Sequence, residues 1–349
     1  MSGPARVLLV DDSAFVRRAT ERMLAPLAGV SVIGAAKDGE EAVRQVRALR
    51  PDLVIMDVDM PGVDGIAALE RIMRECPTPV LLLSSHTREG ADVTLRALEA
   101  GAVDFLDKTG AGTAMDIHAL GPVLREKVGA MLRARTAALE PVAAAGRETG
   151  TTAAAAGARA GAYRVVAIGS STGGPRALAE LIPALPAGFA SAVVVAQHMP
   201  MGFTETLAER LDRRSPLRVA EARDGDPVLA GTVLIAPGGR QMRVERADGA
   251  LLARVYDDGA ALHRPSVDRL FESVAAAAGS SCVGVVLTGM GSDGAAGLRC
   301  IRGAGGRGLV ESERTAVING MPAAAREWAE RDVPLEEMAA VLAQMVGVA

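Results

Sequence analysis

Short apolar runs alternate along the chain with longer segments in which apolar residues recur at helical spacing. In the N-terminal part these runs are Val7–Val10, Val32–Ala35, Leu53–Met56, Val80–Leu83 and Phe105–Leu106. Between the first two runs lies Ala14–Leu27, whose apolar positions follow the repeat of an α-helix. Such alternation is typical of parallel strands joined by crossover helices. It predicts an α/β domain with a doubly wound parallel sheet.

The same alternation restarts further along the chain. The strand candidates there are Val165–Ile168, Ala192–Ala196, Val233–Ile235, Val283–Leu287 and Gly308–Val310. Residues 243–255 differ, because two stretches of alternating polarity flank Asp248 and Gly249. An Asp-Gly pair in that position favours a β-hairpin. We therefore expect a second doubly wound α/β domain, Rossmann-like, with a β-hairpin insertion.

Between the two patterns the large apolar residues nearly vanish. Residues 137–162 read AALEPVAAAGRETGTTAAAAGARAGA, in which Gly, Thr, Pro and Arg interrupt the alanines. This composition cannot bury a core and is typical of a flexible linker, although alanine propensity leaves open a helix through part of it. We predict a first domain at 1–135, an Ala/Gly-rich linker at 136–162 and a second domain at 163–349. The apolar face of the helix before the linker is formed by Ile117, Leu120, Leu124, Val128 and Met131.

The composition narrows the function classes. The 349 residues carry a net charge of −4 and only 2% aromatic side chains, which argues against a nucleic-acid-binding protein. No apolar run reaches the length of a membrane span, and the opening MSGPARVLLVDDS lacks the pattern of a secretory signal. Cys76, Cys282 and Cys300 are odd in number and lack metal-ligand spacing, which is typical of thiols in a reducing cytoplasm. We expect a cytoplasmic protein without membrane insertion and without a nucleic-acid partner.

Polar side chains follow the predicted strands of the first domain where each strand ends. Asp11 and Asp12 follow the first strand, and Asp57 follows the third. Ser84 follows the fourth strand and Lys108 the fifth. Because the carboxyl ends of parallel strands line one crevice, we expect these residues to lie together. A turn or a helix cap would explain any one of them. The set predicts a site in which Mg²⁺ offsets the repulsion between carboxylates and one carboxylate accepts a phosphoryl group.

This arrangement resembles the receiver domain of bacterial two-component response regulators, over roughly residues 5–130, and the resemblance implies a flavodoxin-like sheet. The resemblance implies that Asp57 is phosphorylated, with a histidine kinase as the phosphodonor. It also implies that Asp11, Asp12 and Asp57 hold Mg²⁺.

The resemblance gives three further residues a part in the phosphoryl switch. Ser84 matches the family's switch hydroxyl, Phe105 its switch aromatic residue and Lys108 its invariant lysine. One position departs from the family, because Thr109 follows the lysine where proline is usual. A cis peptide bond is much less favourable there without proline.

Three polar residues also follow strands of the second domain. Ser171 lies in the glycine-rich segment after the first strand, His198 follows the second, and Asp293 follows the strand at Val283–Leu287. An imidazole can take the proton of a serine hydroxyl, and an acid can hold that imidazole and stabilise its charged form. A helix cap, a structural histidine and a turn residue would explain the three separately. Their position at three strand ends predicts a Ser-His-Asp triad.

Two other motifs in the second domain point to different classes. The segment Gly169–Gly173 matches the nucleophile elbow of α/β-hydrolases, with His263 as the later histidine. Under that interpretation His198 would have no role. The segment Gly289–Gly294 imitates a dinucleotide fingerprint, but Asp293 inside it would repel a pyrophosphate.

The second domain resembles the catalytic domain of the chemotaxis receptor protein-glutamate methylesterase (CheB) family. The matching segments, over roughly residues 165–322, are AIGSSTGGP, QHMP, IAPGGRQM, HRPSVDRLF, LTGMGSDGAAGL and NGMP. The resemblance implies that Ser171 is the nucleophile, His198 the general base and acid, and Asp293 its orienting partner. It further implies an oxyanion donor at the Met290 N–H and a site lined by Thr172. Gln241 departs from the family, which has histidine at that position.

The resemblance implies phosphorylation-regulated hydrolysis of glutamate γ-methyl esters on chemoreceptor cytoplasmic helices, giving adaptation in chemotaxis signalling. The same acyl chemistry on an amide would be glutamine deamidation. No cofactor is expected for the hydrolysis, and Mg²⁺ is expected only in the receiver. The alternatives are a dinucleotide-binding oxidoreductase, a non-catalytic phospho-dependent binding module, and a response regulator with a DNA-binding output.

Overall fold

The computed structural model of the chain describes residues 3–60, 65–84, 87–108, 117–139, 164–259 and 261–347. The chain divides into two compact units, Met1–Leu132 and Arg133–Ala349. The division falls inside a helix that ends at Leu139, four residues into the segment predicted as linker. Alanine and arginine sustain this helix because both have high helix propensity. The rest of that segment lies outside the described residues, and the domain limits stay predictions.

The N-terminal unit is a five-stranded parallel sheet with the order β2-β1-β3-β4-β5. The strands are β1 (Ala5–Val10), β2 (Val30–Ala36), β3 (Leu53–Asp57), β4 (Val80–Ser84) and β5 (Asp104–Asp107). The helices are α1 (Ala14–Leu24), α2 (Gly39–Leu49), α3 (Gly65–Glu75), α4 (Arg88–Glu99) and α5 (Ile117–Leu139). All five predicted strands are present. Helix α1 stops at Leu24 and not at Leu27, because Pro26 has no N–H with which to continue the helical hydrogen bonds.

The core of this unit lies where the apolar pattern predicts it. Every residue of β3 and β4 is buried, as expected for central strands covered on both faces. The side chains of Leu120, Leu124, Val128 and Met131 on α5 are buried as well, which confirms the predicted helix face where its side chains are described.

The C-terminal unit is a seven-stranded parallel sheet with the order β14-β13-β12-β6-β7-β9-β8. The strands of this unit are β6 (Val165–Ser170), β7 (Ala192–Gln197), β8 (Arg218–Glu221), β9 (Thr232–Ile235), β10 (Gln241–Ala247), β11 (Ala250–Tyr256), β12 (Cys282–Val286), β13 (Arg307–Glu311) and β14 (Arg331–Val333). Its helices are α6 (Gly174–Ala184), α7 (Phe203–Asp212), α8 (Val267–Ala278), α9 (Ala295–Gly303), α10 (Gly320–Ala325) and α11 (Leu335–Val346). The predicted α/β fold class is confirmed for both units.

Strands β10 and β11 form the predicted antiparallel hairpin apart from the large sheet. Its turn residues Asp248 and Gly249 both have positive φ, at 49° and 81°. That combination matches the right-handed twist of a two-residue hairpin, which is why Asp-Gly is favoured there. The hairpin packs on α8, where the Val244 N–H donates to Ser273 Oγ at 2.9 Å.

The edge strands β8 and β14 were absent from the strands predicted by sequence. They have four and three residues, and both are partly exposed, so their apolar runs are too short to stand out. Among the described residues, no helix is long and apolar enough to cross a bilayer.

Candidate functional site

The first cluster of polar side chains lies at the carboxyl ends of β1, β3 and β5. One carboxylate oxygen from each of Asp11, Asp12 and Asp57 lies within 4.8 Å of the others. The Lys108 ammonium reaches into the same place, 2.5 Å from Asp57 Oδ2 and 3.6 Å from Asp11 Oδ2. The loop after each strand holds its own carboxylate, because the Ser13 N–H donates to Asp11 and the Asp59 N–H donates to Asp57. The predicted grouping of these four residues is therefore present.

The electrostatics of this cluster fit a hard cation. Burial raises the pKa of Asp11 to about 6, with Lys108 opposing the rise and Asp57 adding to it. Asp11 Oδ2 is buried and has no hydrogen-bond partner among the described residues. This oxygen and those of the two neighbouring carboxylates together form a set of oxygen ligands of the kind that Mg²⁺ prefers.

Ser84 ends β4 and Phe105 lies within β5, and both are buried. The Ser84 hydroxyl is 2.5 Å from Thr94 Oγ1 on α4, and the Ser84 carbonyl accepts from the Lys108 N–H at 2.8 Å. These bonds connect β4 both to α4 and to the loop that carries the lysine. Thr109, where the chain departs from the receiver pattern, lies outside the described residues.

The second cluster is built at the carboxyl ends of β6, β7 and β12. Ser171 directly follows β6, His198 follows β7, and Asp293 lies between β12 and α9. His198 Nδ1 is 3.2 Å from Ser171 Oγ, and His198 Nε2 is 2.8 Å from Asp293 Oδ2. The three side chains singled out by the strand-end argument therefore form a continuous hydrogen-bonded chain.

The segment after β12 holds the Ser171 loop from the other side. The Ser171 N–H donates to the Thr288 carbonyl at 3.0 Å, and the Thr288 hydroxyl donates to the Thr172 carbonyl at 2.9 Å. A Cβ at Gly289 would lie 2.9 Å from the Ser171 Cβ, so this close approach requires glycine. The Gly289 N–H itself donates to the Ile318 carbonyl at 2.9 Å.

The next N–H along the segment is that of Met290. Within the described part of the chain, the Met290 N–H donates to no other residue, and Met290 is only half-buried. Thr172 is buried and directly follows Ser171. The predicted lining residues thus lie on two loops: Thr172 on the loop of Ser171, and Met290 next to Gly289, which approaches Ser171.

The side chain of Ser170, which directly precedes Ser171, lies in different surroundings. It is fully buried, and its hydroxyl donates to Gln197 Oε1 at 2.6 Å. The amide of Gln197 in turn donates to the Ser171 carbonyl at 3.0 Å. The two adjacent serines therefore differ sharply. The Ser170 hydroxyl bonds Gln197 between the ends of β6 and β7, whereas the Ser171 hydroxyl faces His198.

Asp293 is fixed at the N-terminus of α8. Its Oδ2 accepts from the Val267 N–H at 2.8 Å, and its Oδ1 accepts from the Asp268 N–H at 2.9 Å and from the Ser266 hydroxyl at 3.1 Å. Burial alone would raise the pKa of Asp293. The hydrogen bond and charge of His198, together with the two backbone N–H groups, instead hold it well below the usual range. Asp293 is therefore an ionised, rigidly held partner for His198.

A second aspartate, Asp268 of α8, binds the start of α9. Asp268 Oδ1 accepts from the Gly294 N–H at 2.8 Å and from the Gly297 N–H at 2.6 Å, at the start of α9. Burial raises the pKa of Asp268, and the neighbouring Asp293 charge adds to the rise. Asp293, just before α9, thus accepts from the start of α8, and Asp268 of α8 accepts from the start of α9. Together these hydrogen bonds leave Asp293 little freedom to move.

His263 is the residue of this site that the strand-end argument missed. Its ring stacks on His198 with centroids 4.3 Å apart and planes inclined by 9°. Gln241 is fully buried, donates to the His263 carbonyl at 2.7 Å and accepts from the Ser266 N–H at 2.8 Å. Gln241 therefore holds the loop that carries both His263 and the cap of α8. No local spacing signals this role, because the residues involved come from separate loops.

These two sites define a response regulator whose output domain has the sheet and side-chain constellation of a serine hydrolase. The family model for CheB methylesterase matches residues 166–342, and that for the response regulator receiver domain matches residues 7–117. The chain belongs to the CheB methylesterase family, with a receiver domain at its N-terminal side.

Similar proteins cover the chain almost completely. It is 44% identical to a protein-glutamate methylesterase/protein-glutamine glutaminase of Symbiobacterium thermophilum, over 99% of this chain and 98% of that protein. A protein of the same name from Geobacillus kaustophilus is 43% identical, over 98% and 99%. The crystal structure of the Thermotoga maritima CheB methylesterase catalytic domain is 40% identical with a TM-score of 0.51, covering 53% of this chain and 99% of that one.

Proposed function

We propose that the protein hydrolyses glutamate γ-methyl esters on chemoreceptor cytoplasmic helices, under control of phosphorylation at Asp57. The observation that carries the proposal is the continuous chain Ser171–His198–Asp293 at 3.2 Å and 2.8 Å, in a member of the CheB methylesterase family. Hydrolysis of the methyl esters would set receptor sensitivity during chemotaxis adaptation.

Acylation uses the three side chains in the order of their contacts. Ser171 Oγ attacks the ester carbonyl carbon while its proton passes to His198 Nδ1, which faces it. Asp293 accepts the Nε2–H throughout and stabilises the positive charge that His198 gains. The Met290 N–H donates to the carbonyl oxygen as it becomes negative. Collapse of the tetrahedral intermediate expels methoxide, which takes the proton from His198 and leaves as methanol.

Deacylation repeats the sequence with water. His198 accepts a proton from the water as its oxygen attacks the glutamyl–serine ester, and the proton then returns to Ser171. The products are a free glutamate side chain and the original enzyme. With a glutamine side chain the leaving group is ammonia, so the same residues would perform deamidation. The relatives are named for both activities, and we extend the proposal to both.

The receiver supplies the control. Asp57 Oδ2 is proposed as the phosphoryl acceptor, with a histidine kinase as the donor. Asp11, Asp12 and Asp57 would hold Mg²⁺, which supplies positive charge to offset the carboxylates and the phosphoryl oxygens. Lys108 already contacts Asp57 and is placed to bind a phosphoryl oxygen. Ser84 at the end of β4 and Phe105 within β5 would then respond to the phosphoryl group. The proposal includes a cytoplasmic location, with chemoreceptor and histidine kinase as partners.

The hydrolase is tested by methanol release from methyl-labelled receptor membranes. Wild type is compared with Ser171→Ala and with the matched control Ser170→Ala. We expect release to require Ser171, because only its hydroxyl faces His198. Equal release by wild type and Ser171→Ala would contradict the proposal.

Control by the receiver is tested in the same assay with a small-molecule phosphodonor and Mg²⁺. We expect faster release from the wild type and no response in Asp57→Asn. Release that requires Ser171 but ignores the phosphodonor would leave the hydrolase in place and refute the switch.

A further inference from the structure

Glu311 is a buried acid that the proposed reaction does not use. It is the last residue of β13 and is fully buried. Its Oε2 accepts from the Thr288 N–H at 2.8 Å. Its Oε1 has no hydrogen-bond partner among the described residues. A buried carboxylate with one oxygen unpaired is costly when charged, so such a group needs a reason to be there.

Thr288 connects Glu311 to the nucleophile. Its carbonyl accepts from the Ser171 N–H, and its hydroxyl donates to the Thr172 carbonyl and accepts from the Ile318 N–H at 3.0 Å. Every polar group of Thr288 is thus hydrogen-bonded. Glu311 accepts from its N–H, whereas its carbonyl and hydroxyl bond the Ser171 loop. The segment after Thr288 carries the Met290 N–H.

Carboxylates near Glu311 oppose its ionisation, while Arg176 and Arg314 carry the opposite charge. A cleft of about 230 Å³ runs beside it, lined on α6 by Arg176 and Glu180 and on α11 by Glu336. Burial raises the pKa of Glu311, the Thr288 N–H and the Thr315 hydroxyl oppose the rise, and Glu180 and Glu336 add to it. Arg314 pairs with Glu336 at 2.5 Å and so offsets part of that effect.

We propose that Glu311 is a positioning residue for the proposed reaction. Its Oε2 holds Thr288 by accepting from the N–H, and Thr288 in turn holds the Ser171 loop and begins the segment that carries the Met290 N–H. A raised pKa suits this role, because a negative charge close to the oxyanion donor would oppose the charge that develops on the substrate oxygen. An uncharged acceptor satisfies the Thr288 N–H without that penalty.

The test uses the full-length protein and a fluorophosphonate, whose attachment to Ser171 needs no receptor. Ser171 Oγ displaces fluoride, and the phosphonyl oxygen takes the place of the oxyanion. Rates are compared for wild type, Glu311→Gln, Glu311→Met and the control Glu221→Gln. Glu221 also has a pKa raised by burial, but its side chain bonds Thr204 and does not touch Thr288.

We expect Glu311→Gln to label at the wild-type rate at low pH, because the amide oxygen still accepts from Thr288. As pH rises and Glu311 ionises, the ratio of the Gln rate to the wild-type rate should climb by about three- to tenfold. Glu311→Met should label several-fold more slowly at every pH. With receptor as substrate the loss should fall on kcat more than on KM. Glu221→Gln should follow the wild type.

Unfolding in urea gives a second readout through Trp328, the single tryptophan of the chain. Relative to Glu311→Gln, the wild type should lose stability as pH rises above the ordinary range of a glutamate. The reason is that the folded state holds the proton more tightly than the unfolded state. If Glu311 keeps its proton in the folded state over the whole range, the stability of the wild type relative to Glu311→Gln should continue to fall up to about pH 9 while the ratio of their labelling rates stays constant. This result would also support the inference.

Two results would overturn the inference. One is a stability difference that stays flat above about pH 5, which would show an ordinary ionised glutamate. The other is wild-type labelling by a folded Glu311→Met variant. A wild type that the probe does not label at Ser171 is a separate result, because it would overturn the proposed function itself. Phosphorylation of the receiver in the same chain verifies that each variant preparation is intact.

Discussion

Replacing Asp293 by asparagine is the perturbation whose effects can be worked out most fully. The carboxylate accepts four hydrogen bonds, two on each oxygen. An amide has one acceptor oxygen, so two of the four donors would face an NH₂ group in either orientation. Hydrogen bonds to a charged group contribute about 1.5–3 kcal/mol each, so we expect the free energy of unfolding to fall by about 3 kcal/mol. The hydrolysis rate should fall by roughly 10³–10⁴, as expected when a triad acid loses its charge.

The control for this prediction is Asp268→Ala. The Asp268 side chain caps the start of α9 through Gly294 and Gly297 and, within the part of the chain that the structure describes, makes no hydrogen bond to His198. Loss of such a cap costs about 1–2 kcal/mol, and the rate should stay within about tenfold of wild type. Stability is measured by urea unfolding through Trp328, and rate by methanol release. If Asp293→Asn lost stability but kept its rate within a few-fold, the triad assignment would be refuted.

Three further predictions follow from the same contacts. His263→Ala should slow hydrolysis about three- to tenfold, whereas His263→Phe should stay near the wild-type rate because phenylalanine can restore a stack on His198. Equal rates for the two variants would contradict a role for stacking. Mg²⁺ affinity of the receiver, measured by titration calorimetry, should fall as pH drops through about 6, because Asp11 must lose its proton to bind the metal and its folded-state pKa is raised to that value. A constant affinity between about pH 5 and pH 7 would exclude Asp11 as a ligand. Gln241→Leu removes both hydrogen bonds of a fully buried amide, so it should lower the free energy of unfolding by about 2 kcal/mol and slow hydrolysis. Unchanged values in the Trp328 unfolding and methanol assays would show that Gln241 does not hold the His263 loop.

Much of the fold follows from local pattern alone. Central strands such as β3 and β6 are continuous apolar runs because helices cover both of their faces. The hairpin at Asp248–Gly249 follows from the backbone geometry that only a few residues adopt readily. The edge strands β8 and β14 could not be predicted in the same way, because short and half-exposed strands depend on pairing with a neighbour that the sequence does not display.

Some residues of the candidate sites could be predicted from the sequence, and others could not. Asp57, Ser171 and His198 could be found because a parallel sheet brings strand ends together, whatever the loops do. The stack of His263 on His198 could not, because it depends on a loop held by Gln241 from another part of the chain. Glu311 could not be found in this way either. Its contact with Thr288 comes from strand register, which local spacing does not reveal.

The most direct measurement of the central claim is the site of covalent attachment. Wild type, Ser170→Ala, Ser171→Ala and His198→Ala are treated with a fluorophosphonate, and the labelled peptide is identified by mass spectrometry. We expect a single phosphonyl group on Ser171 in the wild type and in Ser170→Ala, none in Ser171→Ala, and much slower attachment in His198→Ala. Attachment at Ser170, or equal attachment with and without His198, would contradict the assignment of Ser171, His198 and Asp293 as the catalytic triad.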